Sequence, residues 1–268
     1  MKHLRTAFSW LLLCALVFTA LPVQAESLLR TPALVQIGVI DALLAGGYDG
    51  SVAVGDLPSL NDGLGDIGLG TFDALDGEMV ILDAVVYQVL SSGQVRRADP
   101  RVTTPFAQVL RFRPGKSLTL PANLGLKDLE TWLDTALGDT SLFGAVRVEG
   151  LFTALKARSV PRQKKPYRPL AEVAKEQSVF EFTQVRGTLV GLRGPDYVRG
   201  LGVPGWHLHF LSQDRTRGGH VLDLTLGSGT ARLATLRRME LLLPEAGLGG
   251  LDLARDRSHE LKAVESAR

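Results

Sequence analysis

Histidine is scarce in this chain and unevenly placed. Of five histidines in 268 residues, three fall in GWHLHFLSQDRTRGGHVLD, from Gly205 to Asp223. Neutral imidazole binds zinc readily, and three protein ligands with an open fourth position mark a catalytic rather than a structural site. The spacing favours convergence. Alternate residues of a strand share a face, so His207 and His209 point one way while Trp206, Leu208 and Phe210 point the other, into a core. The turn-forming DRTRGG lets the chain return, and His220 opens the next apolar run, where it can meet His209 across a hairpin ladder. Manganese or iron fits such a set as well, because histidine discriminates weakly among first-row metals. The chemistry is equally open at this point: hydroxide made from bound water, a polarised carbonyl, or a chelated enediolate.

Composition narrows the field. The chain is 45 % hydrophobic and 22 % charged, a globular balance. Its opening, MKHLRTAFSWLLLCALVFTALPVQAES, has a basic start, an apolar middle and small residues at Val23-Gln24-Ala25, the pattern of a secretory signal peptide cleaved after Ala25. Removal of residues 1–25 takes away Lys2 and Arg5, leaving 28 basic against 28 acidic residues and no net charge. A neutral chain is a poor candidate for sequence-independent nucleic-acid binding, which needs clustered cationic charge. The single cysteine, Cys14, leaves with the signal, which excludes a disulfide scaffold, a thiolate metal site and a cysteine nucleophile. An exported protein, periplasmic or secreted and not held in a membrane after cleavage, is expected.

The remaining chain supplies the elements that must position the histidines. Pro32–Ala45 has helical apolar spacing and stops at Gly46-Gly47. DLPSLNDGLGDIGLG reads as a loop; its glycines at 65, 68 and 70 match a nucleotide fingerprint only loosely. TFDAL and EMVILDAVVYQVL flank Asp76-Gly77, a two-residue hairpin signal. Strand patterns follow at 106–112 and 142–153, with the amphipathic helix LKDLETWLDTALG between them. SVPRQKKPYRPL divides the chain, and SVFEFTQVRGTLVGLR, GWHLHFLS, GGHVLDLTLG and RLATLRRMELLLP continue the β pattern before a helical ELKAVESAR. The expected fold is α+β: two lobes of largely antiparallel or mixed sheet with a few helices, one over 26–158 and one over 159–268, with the histidine site in the second.

These segments together resemble the α-acetolactate decarboxylases. The likeness is carried by GWHLHFLSQDRTRGGHVLD, GLGTFDALDGEMVILD, RSVPRQKKPYRPL, TPFAQVLRF and IDALLAGGYDG, in that family's order and over nearly the whole exported chain. The resemblance implies conversion of (S)-2-acetolactate to (R)-acetoin and CO2 through a metal-chelated enediolate, with one Zn2+ held by His207, His209 and His220. It also implies active-site roles for Glu78, Arg158 and a glutamate of the C-terminal tail, taken as Glu265 with Glu260 in reserve. Trp206 departs from the tyrosine that family members tend to carry there. The family's architecture implies a metal near the interface of two α+β lobes and a homodimer. Without the resemblance, Glu78 reads as a strand residue after a turn, and Arg158 as one of a solvated run with Lys156, Arg162, Lys164, Lys165 and Arg168. Two other functions fit the histidines alone: a zinc-hydroxide lyase or hydrolase, and a non-catalytic exported metal- or ligand-binding module.

Overall fold

The strands pair into two large sheets, with Val52–Ala53 and Thr103–Thr104 forming a separate two-stranded pair. The computed structural model describes residues 32–60, 65–245 and 247–265; the expected signal peptide, Cys14 included, lies outside the described residues. The first strands are β1 (Leu34–Ile37), β2 (Val52–Ala53), β3 (Ile67–Thr71), β4 (Glu78–Leu82), β5 (Val85–Val89), β6 (Val95–Arg97), β7 (Thr103–Thr104) and β8 (Ala107–Leu110). Then come β9 (Lys116–Leu120), β10 (Leu124–Gly125), β11 (Phe143–Ser159), β12 (Ser178–Gly194), β13 (Gly205–Ser212), β14 (Gly218–Leu236) and β15 (Met239–Leu242). One sheet runs β15-β1-β8-β3-β4-β5-β6, antiparallel except for the parallel β1–β15 pair. The other runs β10-β14-β11-β12-β13, and a further β13–β14 pairing closes its last four strands into a ring. Among the described residues no helix is long and apolar enough to cross a membrane.

The α+β class is as expected, and several local elements differ. The apolar spacing of Pro32–Ala45 resolves into β1 and a short helix, Ile40–Leu44. All four β1 residues are buried, with β8 on one side and β15 on the other, and a short, wholly apolar run does not separate such a strand from a helix. Part of the expected glycine loop is strand β3, buried along its length. The turn before Glu78 is a six-residue connection from Phe72 to Gly77, with a 3-10 stretch at Asp73–Leu75. The tight hairpin instead joins β4 to β5 through Asp83-Ala84, at φ 53° and 61°. Positive φ at both positions is the type I′ requirement, met here without the usual glycine.

Both sheets draw strands from either side of residue 158. β15 completes the first sheet, β9, β10 and β11 belong to the second, and 32–268 forms one compact unit. The connector after β11 therefore links two stretches of the same folded unit.

Side-chain alternation assigns each face. Leu208 and Phe210 of β13 join a core inside the second sheet with Val146, Phe152, Leu189 and Leu224. Leu211, on the histidine side of β13, packs instead with Val80 and Leu82 of β4 and with Val190 of β12. The histidine face thus looks across the seam at the first sheet. Phe210 is fully buried, its ring 5.4 Å from Phe152 at 76° and 6.4 Å from Phe182. Truncating it leaves a cavity directly behind the histidines, and Phe210→Ala is expected to cost roughly 3–5 kcal/mol, read as a lower midpoint in equilibrium urea unfolding.

Candidate metal centre

Three neighbouring strands present one row of side chains. His209 on β13 stands opposite His220 on β14, and His220 stands opposite Arg158 on β11. His207, two residues from His209 on the same face, completes the cluster. The imidazole centroids lie 4.9, 5.0 and 5.3 Å apart, and one nitrogen from each ring lies within 4.8 Å of the others. Strand register accounts for this convergence, since directly opposed Cβ atoms are only ~5 Å apart.

The nitrogens suit a metal ion. Nδ1 of His209 lies 2.7 Å from the Met79 carbonyl; a carbonyl only accepts, so Nδ1 carries the proton and Nε2 presents its lone pair. Such outer hydrogen bonds orient metal-binding histidines. His209 Nε2, His220 Nε2 and His207 Nδ1 are buried without hydrogen-bond partners, while His207 Nε2 and His220 Nδ1 lie 3.1 Å apart. Buried polar atoms rarely stay unpartnered, and a cation among the rings satisfies them. Burial holds all three imidazoles neutral: His207 falls to about 3, and His209 and His220 lie well below the usual 6.5, with the Arg158 charge acting in the same direction. Neutral imidazole is the ligating form.

Two glutamates and the arginine border the cluster. Glu78 begins β4 and places Oε1 3.3 Å from Arg158 Nη1 and Oε2 3.6 Å from His209 Nε2. Glu265, at the end of the helix Ser258–Glu265, places Oε2 3.6 Å from His220 Nε2. Burial pushes both carboxyls up to about 7 from 4.5, although the Arg158 charge pulls each down. Glycines precede two of the site residues where a side chain does not fit. At Gly77 (φ +90°) a Cβ meets the Val89 carbonyl oxygen at 2.3 Å, and at Gly219 (φ +136°) it meets that of Arg158 at 2.5 Å.

Every residue expected at the site is therefore gathered there, and the reserve Glu260 is not: it pairs with Arg255 and Arg257. Arg158 also separates from its basic run. Its side chain is 5 % exposed, against 55 % for Arg162 and 65 % for Lys165. The Met79 carbonyl is a site group that sequence patterning missed, because a main-chain oxygen carries no residue signal. For Arg158 the strand pattern in the sequence stops at 153, whereas β11 runs on to Ser159 and carries Arg158 into the row.

Comparison with known proteins agrees with this geometry. The family model described as alpha-acetolactate decarboxylase matches residues 34–247, a span that includes Glu78, Arg158 and the three histidines and stops before Glu265. The alpha-acetolactate decarboxylase of Methanosarcina mazei is 46 % identical over 233 residues, covering 87 % of this chain and 80 % of that one. That of Bacillus subtilis strain 168 is 36 % identical over 227 residues, covering 82 % and 88 %. A crystal structure of the alpha-acetolactate decarboxylase from Bacillus subtilis strain 168 superposes with a TM-score of 0.83 at 33 % identity, over 87 % of this chain and 99 % of that one. On this match of sequence and fold, the chain belongs to the alpha-acetolactate decarboxylase family.

Proposed function

We propose that this protein decarboxylates (S)-2-acetolactate to (R)-acetoin and CO2, with zinc held by His207, His209 and His220. The observation that carries this function is the row His209, His220, Arg158, bordered by Glu78 and Glu265, in a chain of this family. Acetolactate carries a carboxylate and a hydroxyl on one carbon, next to a ketone. When the carboxylate leaves as CO2, its bonding pair remains on that carbon and delocalises into the ketone. One proton must then be added there, so the anion consumes H+ and yields neutral acetoin. A bound divalent ion supplies positive charge beside the oxygens on which electron density builds.

The chain's own groups supply the rest. Arg158 offers a planar fork to the carboxylate, and its buried Nε has no hydrogen-bond partner among the described residues. Arginine does not give up a proton near neutral pH, so proton delivery falls to the carboxyls. Glu78 and Glu265, whose carboxyls burial raises to about 7 in the metal-free protein, are the groups placed to carry that proton. Each is anchored on its own strand or helix, so the proton arrives from a fixed direction, as a single product stereoisomer requires. Export and a homodimer complete the proposal; outside the cell the enzyme acts on acetolactate that has leaked out.

Zinc-loaded residues 26–268 should form acetoin from racemic acetolactate and stop when the metal is chelated. His209→Ala should lower kcat/KM by at least about 100-fold, and Arg158→Lys by roughly 100-fold. A folded, zinc-loaded protein that forms no acetoin overturns the function.

Metal-free protein provides a pH test. A carboxyl raised from 4.5 to about 7 favours folding fully below 4.5 and loses that contribution as pH rises through 7. Glu78→Gln mimics the protonated form, so the variant should melt above wild type at pH 8 and level with it at pH 4.5, by calorimetry. The histidines act oppositely: held neutral in the fold, they cost stability as pH falls below 6.5 in both proteins.

For export, the mature protein should begin at Glu26 and have the solution mass of two chains. Full-length precursor retained in the cytosol refutes export, and the mass of a single chain refutes the dimer.

A further inference from the structure

Two cavities meet at the C-terminal helix. The site itself opens into a small one of ≈40 Å³, walled on its apolar side by residues such as Leu43, Leu75, Phe106 and Val264. Beyond it is a cavity of ≈1390 Å³, whose apolar lining includes Leu126, Val203, Leu208 and Leu253. Among the described residues, only His220, Leu261 and Glu265 line both. Leu261 and Glu265 are four residues apart on one helix and so share a face. Leu261 is 9 % exposed and packs with Ile40, Leu43 and Leu170. It is the apolar group in the partition.

We propose that Leu261 is a specificity-determining residue: its side chain closes the site from the large cavity and limits the alkyl group accepted on the carboxylate-bearing carbon. This rests on the decarboxylase function proposed above. The polar parts of an acetolactate-type molecule are matched by Arg158 and the histidine cluster, so its alkyl substituent is left to the apolar wall. The small cavity has room for only about three waters by volume, so each added methylene presses on that wall. Leu261 is the apolar part of that wall that also faces the large cavity, whose lining mixes Leu126, Val203 and Leu253 with charged residues such as Lys127 and Arg257. Removing it beyond Cβ joins the two cavities.

The test compares zinc-loaded wild type, Leu261→Ala, Leu261→Val and Leu253→Ala. Leu253 lines the large cavity alone. CO2 release is followed from acetolactate and from its analogue bearing butyl in place of the 2-methyl group. In parallel, calorimetry measures binding of unreactive straight-chain 2-hydroxy carboxylates of increasing length. Leu261→Ala should raise the butyl-over-methyl ratio of kcat/KM by at least about tenfold, chiefly through KM, and tighten binding of the longer acids. Leu253→Ala, which widens the large cavity without breaching the partition, should leave both preferences near wild type. A folded, zinc-loaded Leu261→Ala that weakens every substrate and acid alike overturns the proposal. If that variant does not fold, Leu261→Val must shift the preference in the same direction, and an unchanged preference overturns it equally. Wild type that releases no CO2 from acetolactate fails the decarboxylase function instead, and the acid-binding series still decides the role of Leu261.

Discussion

Cross-strand register along β14 is the constraint on which the site depends. His220 has His209 on one side and Arg158 on the other, so two groups far apart in sequence are held by the spacing of the two ladders that flank one strand. A register slip of one residue turns every side chain of a strand to the opposite face. Here it would bury Val221 at the seam and turn His220 into the apolar core behind β13. Phe152, Phe210 and Leu224 in that core therefore maintain the geometry of the polar row on the other side of the sheet.

That row concentrates charge where water is excluded. A buried guanidinium with three buried imidazoles is costly unless the imidazoles stay neutral and carboxylates lie nearby. Both conditions are met: burial and Arg158 keep the rings uncharged, and Glu78 and Glu265 approach from the other sheet and from the C-terminal helix. The resulting site holds more positive than negative potential when a divalent ion is added, which suits an anionic substrate whose charge persists through the loss of CO2 and is cancelled only by protonation.

Much of this was legible in the sequence, and unevenly so. The HxH spacing and the return of the chain at DRTRGG specify which histidines share a face, because a two-residue period leaves little freedom. The amphipathic Leu126–Leu137 helix with Gly138 at its end was equally plain. Glu78 and Arg158 were not legible as site residues from local pattern: one follows a turn, the other belongs to a basic run, and each gains its position only from pairing with distant strands. Family resemblance singled them out, and the fold supplies the physical reason. The β1 segment and the Asp83-Ala84 hairpin misled for the opposite reason, since full burial hides periodicity and a type I′ turn without glycine carries no familiar signal.

The two halves of the site also differ in how far along the chain their parts lie. The three histidines fall between residues 207 and 220, on two strands joined by one short turn, and such local hairpins form rapidly. Glu78, Arg158 and Glu265 join only through pairings and packing that close long loops, which are slower to form. During folding the hairpin that carries the histidines thus forms ahead of the arrival of Glu78, Arg158 and Glu265. Assembly of the histidine cluster and arrival of the charged groups around it are separable steps in the life of the chain, so a formed hairpin alone is a poor measure of how much complete site a preparation contains.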